Sequence, residues 1–396
     1  MSETQNEEIT VAVVGLGSRG LYFAKTFHNN PHSELIAVCD IEEKNLDIMR
    51  KDHVLGKKVS LYNNIDELLQ KENPDLVCII ASDFAHHELA VKTLEAGCNI
   101  FLEKPMAQTI EDCDDIIRSW KKAETIFFIG FELRFCALFQ KMKSIIDGGE
   151  IGEVVMCQAM DSVSVGGQFF FHNYFREKEE GISLLLQKGT HSIDLINWMI
   201  GSDPKRIYAV GGLKVFGQKE PAGLMCHKCD KKSTCKYFIS RDKFAYDFGE
   251  AVSVDDFCVY GKDIDMDDHS LVTIEYENGA KAVYTECHFT PDYIREFTFI
   301  GTEGKMYGLY SRYGFKITLQ RRFSEKVEVY RPKVTEGSHG GGDKRMFENI
   351  FKAISSGKKS STDIKAGRDS AAIAICAEKS IKEGVPAEVP KCPHLL

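Results

Sequence analysis

The segment Gly15-Leu16-Gly17-Ser18-Arg19-Gly20 constrains this chain more than any other. It follows directly on the apolar run Val11-Ala12-Val13-Val14 and opens a stretch with helical spacing at Leu21, Ala24 and Phe27. A second apolar run, Leu35-Ile36-Ala37-Val38-Cys39, ends in Asp40. A strand, a glycine turn, a helix and a second strand ending in a carboxylate are the parts of a dinucleotide site. The first glycine permits the tight turn, the second lets backbone approach a pyrophosphate, and the third lets the helix pack close to the strand. The helix N-terminus adds N–H donors and positive dipole. Asp40 is placed to receive the adenosine ribose hydroxyls and to repel a 2′-phosphate. No basic residue follows it at once (Ile41-Glu42-Glu43), so NAD is expected over NADP, with Lys44 the cation that would argue otherwise. Gly15, Gly17, Ser18, Arg19, Gly20 and Asp40 are the first candidate cofactor residues.

The chain has 396 residues, enough for two domains. Its net charge of −9 argues against non-specific nucleic-acid binding. No apolar stretch approaches the roughly 18 residues of a membrane span. The segment Met1–Glu8 is polar and acidic, with no apolar core of a signal peptide. The 13 cysteines are scattered without a disulfide-like framework, so reduced thiols and a cytoplasmic location are expected.

Strand-like runs recur at Asp75-Leu76-Val77-Cys78-Ile79-Ile80 and Asn99-Ile100-Phe101-Leu102, separated by a helical stretch from His86 to Ala96 that stops at Gly97. Alternating strand and helix predict an α/β, doubly wound parallel sheet, whose ligands bind at the carboxyl ends of the strands. Ala81, Ser82, Asp83, His86, Glu103, Lys104 and Pro105 then join the candidate cofactor residues on that rim. After about residue 128 the pattern changes to grouped strands such as His269–Tyr276 and Ala280–Phe289, parted by turns such as Glu277-Asn278-Gly279. These predict a largely antiparallel sheet, followed by helices over 344–355 and 363–383. The expected division is 1–127 for the nucleotide domain and 128–396 for a substrate and oligomerisation domain. Within the latter, Cys226-x-x-Cys229 and Cys235 have the short spacing that lets thiolates converge on one tetrahedral ion. A closed structural zinc site needs a fourth ligand, for which His227 and Cys258 stand as alternatives.

Glu103-Lys104-Pro105 after a strand of a Rossmann domain resembles the signature of the glucose–fructose oxidoreductase / inositol dehydrogenase (Gfo/Idh/MocA) family. Four further segments resemble that family: Phe131–Phe135, the turn Asp147–Val154, the helix start Lys188–Leu195 and the turn Gly301-Thr302-Glu303-Gly304. The resemblance covers nearly the whole chain. It implies an N-terminal Rossmann domain and a C-terminal α/β domain whose open, largely antiparallel sheet floors the substrate site and mediates homo-oligomer contact. It implies an NAD-dependent oxidoreductase acting on a secondary hydroxyl of a sugar, glycoside or polyol, with Lys104 and His191 the catalytic pair that handles the hydroxyl proton. The family's Asp-x-x-x-His pattern is broken here, because Gln187 stands at the Asp position and cannot exchange protons. Branches of the family carry a lysine three residues before the histidine, as Lys188 does here. His339, in Ser338-His339-Gly340-Gly341-Gly342-Asp343, and Cys258 resemble the same branch, which makes Cys258 the expected fourth zinc ligand. Arg134, Arg176, Gln187, Lys188, His191 and His339, with Lys104, are the candidates to grip substrate. Phe169-Phe170-Phe171 and Tyr174 are expected in the core or stacked on a sugar face. Two rival readings stand beside this one. In the first, the enzyme retains NAD and cleaves or rearranges a glycoside by oxidation, elimination and reduction. In the second, the fold serves as a non-enzymatic sensor, which would be expected to lose Lys104 or His191.

Overall fold

The computed structural model describes residues 8–51, 59–164, 169–239, 255–335, 337–357 and 362–393. Residues 1–7 of the Met1–Glu8 segment, expected not to be a signal peptide, lie outside these. The chain forms two units, Met1–Phe131 with Met346–Arg368 and Cys392–Leu396, and Glu132–Arg345 with Asp369–Lys391. Residues 346–368, expected in the second domain, thus return to the first unit.

In the first unit, β1 (Ile9–Val14), β2 (Ser33–Cys39), β3 (Ser60–Tyr62), β4 (Leu76–Ile79), β5 (Asn99–Leu102) and β6 (Phe127–Ile129) form one sheet. Its order is β3-β2-β1-β4-β5-β6, parallel throughout. The four residues of β4 are all buried, as expected of a strand covered on both faces. The helix Ser18–His28 buries Gly20, Phe23, Ala24 and Phe27, a stripe at helical spacing. Phe347 packs its ring 4.8 Å from that of Phe23 and 5.3 Å from that of Phe27. Phe351 lies 5.8 Å from Phe27. Each such buried ring contributes about 1.5–3 kcal/mol, which is why the late segment belongs with this unit.

In the second unit, β7 (Val154–Val163), β8 (Pro204–Gly212), β9 (His269–Tyr276), β10 (Lys281–Cys287), β11 (Tyr293–Gly301), β12 (Gly304–Ser311), β13 (Gly314–Arg321), β14 (Val327–Tyr330) and β15 (Ala387–Glu388) form a nine-stranded sheet. Its order is β14-β13-β12-β11-β7-β10-β9-β8-β15, and only β7 and β10 run parallel. One face carries the helix Thr190–Ile200 over a polar platform. Arg295 there donates to Asp161 at 2.8 Å and to Ser192 at 2.7 Å, and Tyr284 donates to Asp161 at 3.1 Å. On the other face Met156, Met160, Val283, Leu271, Tyr208 and Val210 are exposed side by side across β7, β10, β9 and β8. No helix among the described residues is long and apolar enough to cross a membrane.

Candidate functional site

The exits of β1 and β4 flank the point where the strand order of the first sheet reverses, the place where such sheets bind ligands. Gly15 has φ of 90°, and a Cβ there would lie 2.7 Å from the backbone of Ile80 and Ala81. A Cβ on Gly20 would lie 1.8 Å from the Gly15 carbonyl oxygen, whereas one on Gly17 would meet nothing within 4 Å. The loop is therefore closed behind and open in front, where a pyrophosphate would reach the N–H groups of the helix that starts at Ser18. Asp40 accepts hydrogen bonds from the Leu16 N–H at 2.6 Å, the Glu42 N–H at 2.8 Å and the Asn45 side chain at 3.0 Å, so the end of β2 is tied to the glycine loop. Lys44 is exposed and pairs with Glu42 at 3.4 Å.

Arg19 joins the same loop to the exit of β5, donating to Glu103 at 2.6 Å while lying 5.1 Å over the Phe23 ring. Glu103 in turn accepts from the Lys104 N–H at 3.1 Å, and Lys104 is half-buried. His86 lies within 2.8 Å of the Pro105 carbonyl and 3.1 Å of the Ala81 carbonyl. Burial holds its imidazole below its ordinary pKa. It holds the two loops of the rim together. Asp83 is also buried and accepts from Gln108 at 3.0 Å. Ala81 and Ser82 follow β4 after Ile80.

In the second unit, a wide π-type turn over Leu185–Gly189 feeds the helix Thr190–Ile200. Such turns recur at functional sites because they re-aim side chains without ending the helix. His191 stands just after the turn with Nδ1 3.6 Å from the carboxylate of Glu132, a charge contact longer than a hydrogen bond. The same carboxylate forms an ion pair with His339 Nε2 at 2.9 Å, and His339 Nδ1 lies 2.8 Å from Asp343. His339, Gly340 and Gly341 are left-handed in succession, with φ of 52°, 65° and 81°. A Cβ on Gly340 would lie 2.6 Å from the Phe315 ring, and one on Gly341 1.9 Å from Thr335 Oγ1. The glycines thus let the loop close down and bring His339 to Glu132. Burial would lower the pKa of His339, but Glu132 and Asp343 outweigh it and hold the imidazole up to about 10. Glu132, His191 and His339 place ligand-type atoms within 4.8 Å of one another. The His339 imidazolium already supplies a cation to that carboxylate.

The remaining expected substrate residues divide. Gln187 is buried and donates to the Gly181 carbonyl at 3.1 Å, so its amide supports the turn. Lys188 is buried and donates to the Tyr293 hydroxyl at 2.9 Å. Arg134 is committed to Asp194 through two bonds of 2.7 and 2.6 Å, and Arg176 to Asp263 and to the Cys258 carbonyl. Both guanidinium groups are buried and held by these partners. Phe170 and Phe171 belong to the core, and Tyr174 packs on Phe175 with ring centres 4.2 Å apart. Glu132 and Tyr293, which the structure sets beside His191 and Lys188, were not singled out in the sequence. An acid between Phe131 and Leu133 is a signal for a buried, partnered carboxylate, and it marks Glu132.

The cysteine cluster is built on a bridge between Met225 and Phe257. The Cys226 N–H donates to the Asp256 carbonyl at 2.6 Å, the Cys258 N–H to that of Leu224 at 2.7 Å, and the Cys229 N–H closes the first turn on Cys226 at 3.1 Å. Burial pushes the Cys226 thiol up to about 11 and also raises Cys258. Cys226 further senses the charge of Cys258 and Cys235, and Cys258 that of Cys229 and Cys235, so the four sulfurs share one electrostatic neighbourhood. His227 Nδ1 lies 2.8 Å from Asp256, so only its Nε2 could reach an ion. The donor set fits zinc. Among the described residues only the Glu132 group brings three ligand atoms within 4.8 Å. An ion would therefore have to draw the sulfurs in to the ~3.8 Å spacing of a tetrahedral thiolate site.

Residues 9–131 match the model of an oxidoreductase family with an NAD-binding Rossmann fold, and residues 139–307 match a GFO/IDH/MocA C-terminal domain. The chain is 25% identical over 417 residues to the putative oxidoreductase YteT of Bacillus subtilis, covering 96% of each. It is 27% identical to the myo-inositol 2-dehydrogenase of Thermotoga maritima over 54% of this chain and 61% of that one. A solved myo-inositol 2-dehydrogenase from Lactobacillus plantarum superposes with a TM-score of 0.70 at 19% identity, covering 97% of this chain and all of that one.

Proposed function

The chain belongs to the Gfo/Idh/MocA oxidoreductase family, and we propose that it oxidises a secondary hydroxyl of a sugar, glycoside or polyol, with His191 as proton acceptor. The single observation that carries this reading is the Glu132 carboxylate beside His191 at the mouth of the π-type turn. Bound NAD, held by Gly15–Gly20 and Asp40, supplies the acceptor for hydride. His191 takes the hydroxyl proton, and Glu132 stabilises the imidazolium that results. This carboxylate offsets the loss of the family Asp at Gln187. Lys104 contributes a cation that stabilises developing alkoxide. The similarity to inositol dehydrogenases supports a polyhydroxylated substrate. A panel of sugars, glycosides and inositols monitored for NADH should give saturable turnover. Turnover of simple hydroxy acids with no response to the panel would overturn the assignment. Product without net NADH would favour the retained-cofactor reading.

Asp40 sets the nucleotide preference. NADH should bind more tightly than NADPH, because a 2′-phosphate would face a carboxylate already fixed by three hydrogen bonds. Fluorescence titration with both nucleotides checks this, and tighter NADPH binding would sink it.

The cysteine cluster is assigned to a structural zinc held by Cys226, Cys229, Cys235 and Cys258, with no open position for chemistry. Protein purified without chelator should hold about one zinc per chain, and its removal should lower the melting temperature. Metal-free protein with unchanged melting and activity would refute the site.

The apolar face over Met156, Met160, Leu271, Val283, Tyr208 and Val210 is assigned to contact between copies of the chain. Sedimentation should show a dimer or larger, and Leu271→Asp should weaken it. A monomer at micromolar concentration would contradict the assignment.

A further inference from the structure

Two buried carboxylates, Glu132 and Asp343, share one cation, the His339 imidazolium between them. His191 stands on the other side of Glu132, its Nδ1 3.6 Å from the same oxygen that His339 Nε2 meets at 2.9 Å. These four groups sum to one negative charge. Only His339 among them is more than marginally open to solvent, its side chain 31% exposed against 7% for His191. Two imidazole nitrogens and one carboxylate oxygen thus converge within 4.8 Å of one another, all in the second unit. Bonds of about 2.0–2.2 Å to a tetrahedral ion set ligand atoms about 3.4 Å apart. The separations of 2.9 and 3.6 Å straddle that spacing. A two-histidine, one-carboxylate set is a recurring holder of divalent transition metals and leaves a coordination position open. Asp343, 2.8 Å from His339 Nδ1, turns Nε2 toward Glu132, as the carboxylate behind a metal-bound histidine does. Ser338 donates to the same Asp343 oxygen at 2.6 Å and fixes it in turn. The left-handed run from His339 to Gly341 holds the imidazole at Glu132 before any ion arrives.

We propose that Glu132, His191 and His339 form a site for a divalent transition metal of the zinc class, and that its occupation switches off proton transfer by His191. The ion takes the place of the proton that His339 holds between Glu132 and Asp343. One divalent cation enters, one proton leaves, and the four groups become neutral in sum. Coordination by Nδ1 commits that lone pair of His191 and leaves the ring hydrogen on Nε2, so neither nitrogen can accept a proton from a substrate hydroxyl. The donors are nitrogen and oxygen, which separates this site in chemistry from the cysteine cluster. Binding of the ion stands independently of the dehydrogenase reading. Its effect on turnover rests on that reading, since only there is His191 the base.

Two measurements on the full chain test the proposal. Protein first saturated with zinc at its cysteines is titrated with Co2+ alone. A further ion should bind, with the visible absorption of nitrogen and oxygen ligation and no sulfur-to-cobalt charge-transfer band. His339→Asn should abolish that binding, asparagine being chosen because it accepts left-handed backbone. Asp343→Asn keeps all three ligands and should weaken it by about ten- to a hundredfold. Cys229→Ser should leave it in place. No further binding, or equal Co2+ affinity in the wild type, His339→Asn and Asp343→Asn, overturns the site. A charge-transfer band, or loss of the added ion in Cys229→Ser, puts the ion on the thiols and overturns it too. In the second measurement, Zn2+ at saturation should abolish NADH formation from any sugar that the wild type turns over. Unchanged or faster turnover with the ion bound overturns the switch. Absence of NADH with every sugar, with or without the ion, counts against the dehydrogenase reading, while the Co2+ titration decides the metal site by itself.

Discussion

His191→Ala should lose turnover by a factor on the order of 10² to 10⁴, the range for a positioned acid–base group. Nucleotide affinity should stay at the wild-type level, because the glycine loop and Asp40 belong to the first unit and His191 to the second. Glu132→Gln should fall less far, by about one to two orders of magnitude. The glutamine keeps the shape at 3.6 Å from His191 but removes the charge that favours the imidazolium. The acid limb of its pH–rate profile should also move to lower pH, since the protonated imidazole is no longer stabilised by a carboxylate. Glu132→Gln breaks the His339 ion pair as well, so Asp343→Asn serves as the control. That variant weakens the hold on His339 without touching His191. Near-normal turnover in His191→Ala would show that the base lies elsewhere, with Lys104 or Lys188 next in line. Equal losses in Glu132→Gln and Asp343→Asn would assign Glu132 to packing of the loop.

The legible parts of this molecule are those whose cause is local. The glycine loop could be read because Gly15 needs a positive φ and Gly20 has no room for a Cβ, and both requirements act within one strand–turn–helix unit. Asp40 was legible for the same reason, since the end of β2 is paired directly to β1. The change from alternating strand and helix to grouped strands foretold the largely antiparallel second sheet. What escaped was set by long-range packing. Arg134 was read as a candidate to grip substrate, and only the fold shows that its Nε and Nη2 bond to Asp194, 60 residues on. Lys188 was read as a candidate to grip substrate, and the structure gives it Tyr293, 105 residues away. Glu132 and His339 meet only because three left-handed residues fold their loop back. The return of residues 346–368 to the first unit depends on Phe347 and Phe351 finding Phe23 and Phe27, which no local periodicity encodes. The two ring nitrogens of His86 face backbone carbonyls of Ala81 and Pro105, contacts that no local pattern encodes.

Lys104→Ala is expected to cost turnover on a scale similar to His191→Ala, on the order of 10² or more, for a different physical reason. Lys104 leaves the end of β5, a parallel strand whose carboxyl end faces the ligand side of the sheet. Its neighbour Glu103 is tied to Arg19, so the backbone that carries the ammonium is anchored to the glycine loop. The ammonium is a compact point charge suited to one developing oxyanion. Lys104→Arg should therefore rescue only part of the loss, since a planar fork on a longer stem puts its charge elsewhere. Loss in kcat with KM for NAD unchanged would locate the effect in the chemical step. A matching loss in NAD affinity would instead make Lys104 a cofactor residue. Glu103→Gln separates the two roles, because it loosens the Arg19 anchor while leaving the ammonium in place. If that variant loses as much turnover as Lys104→Ala while binding NAD normally, the anchored backbone rather than the ammonium charge sets the rate, and the electrostatic role assigned to Lys104 falls.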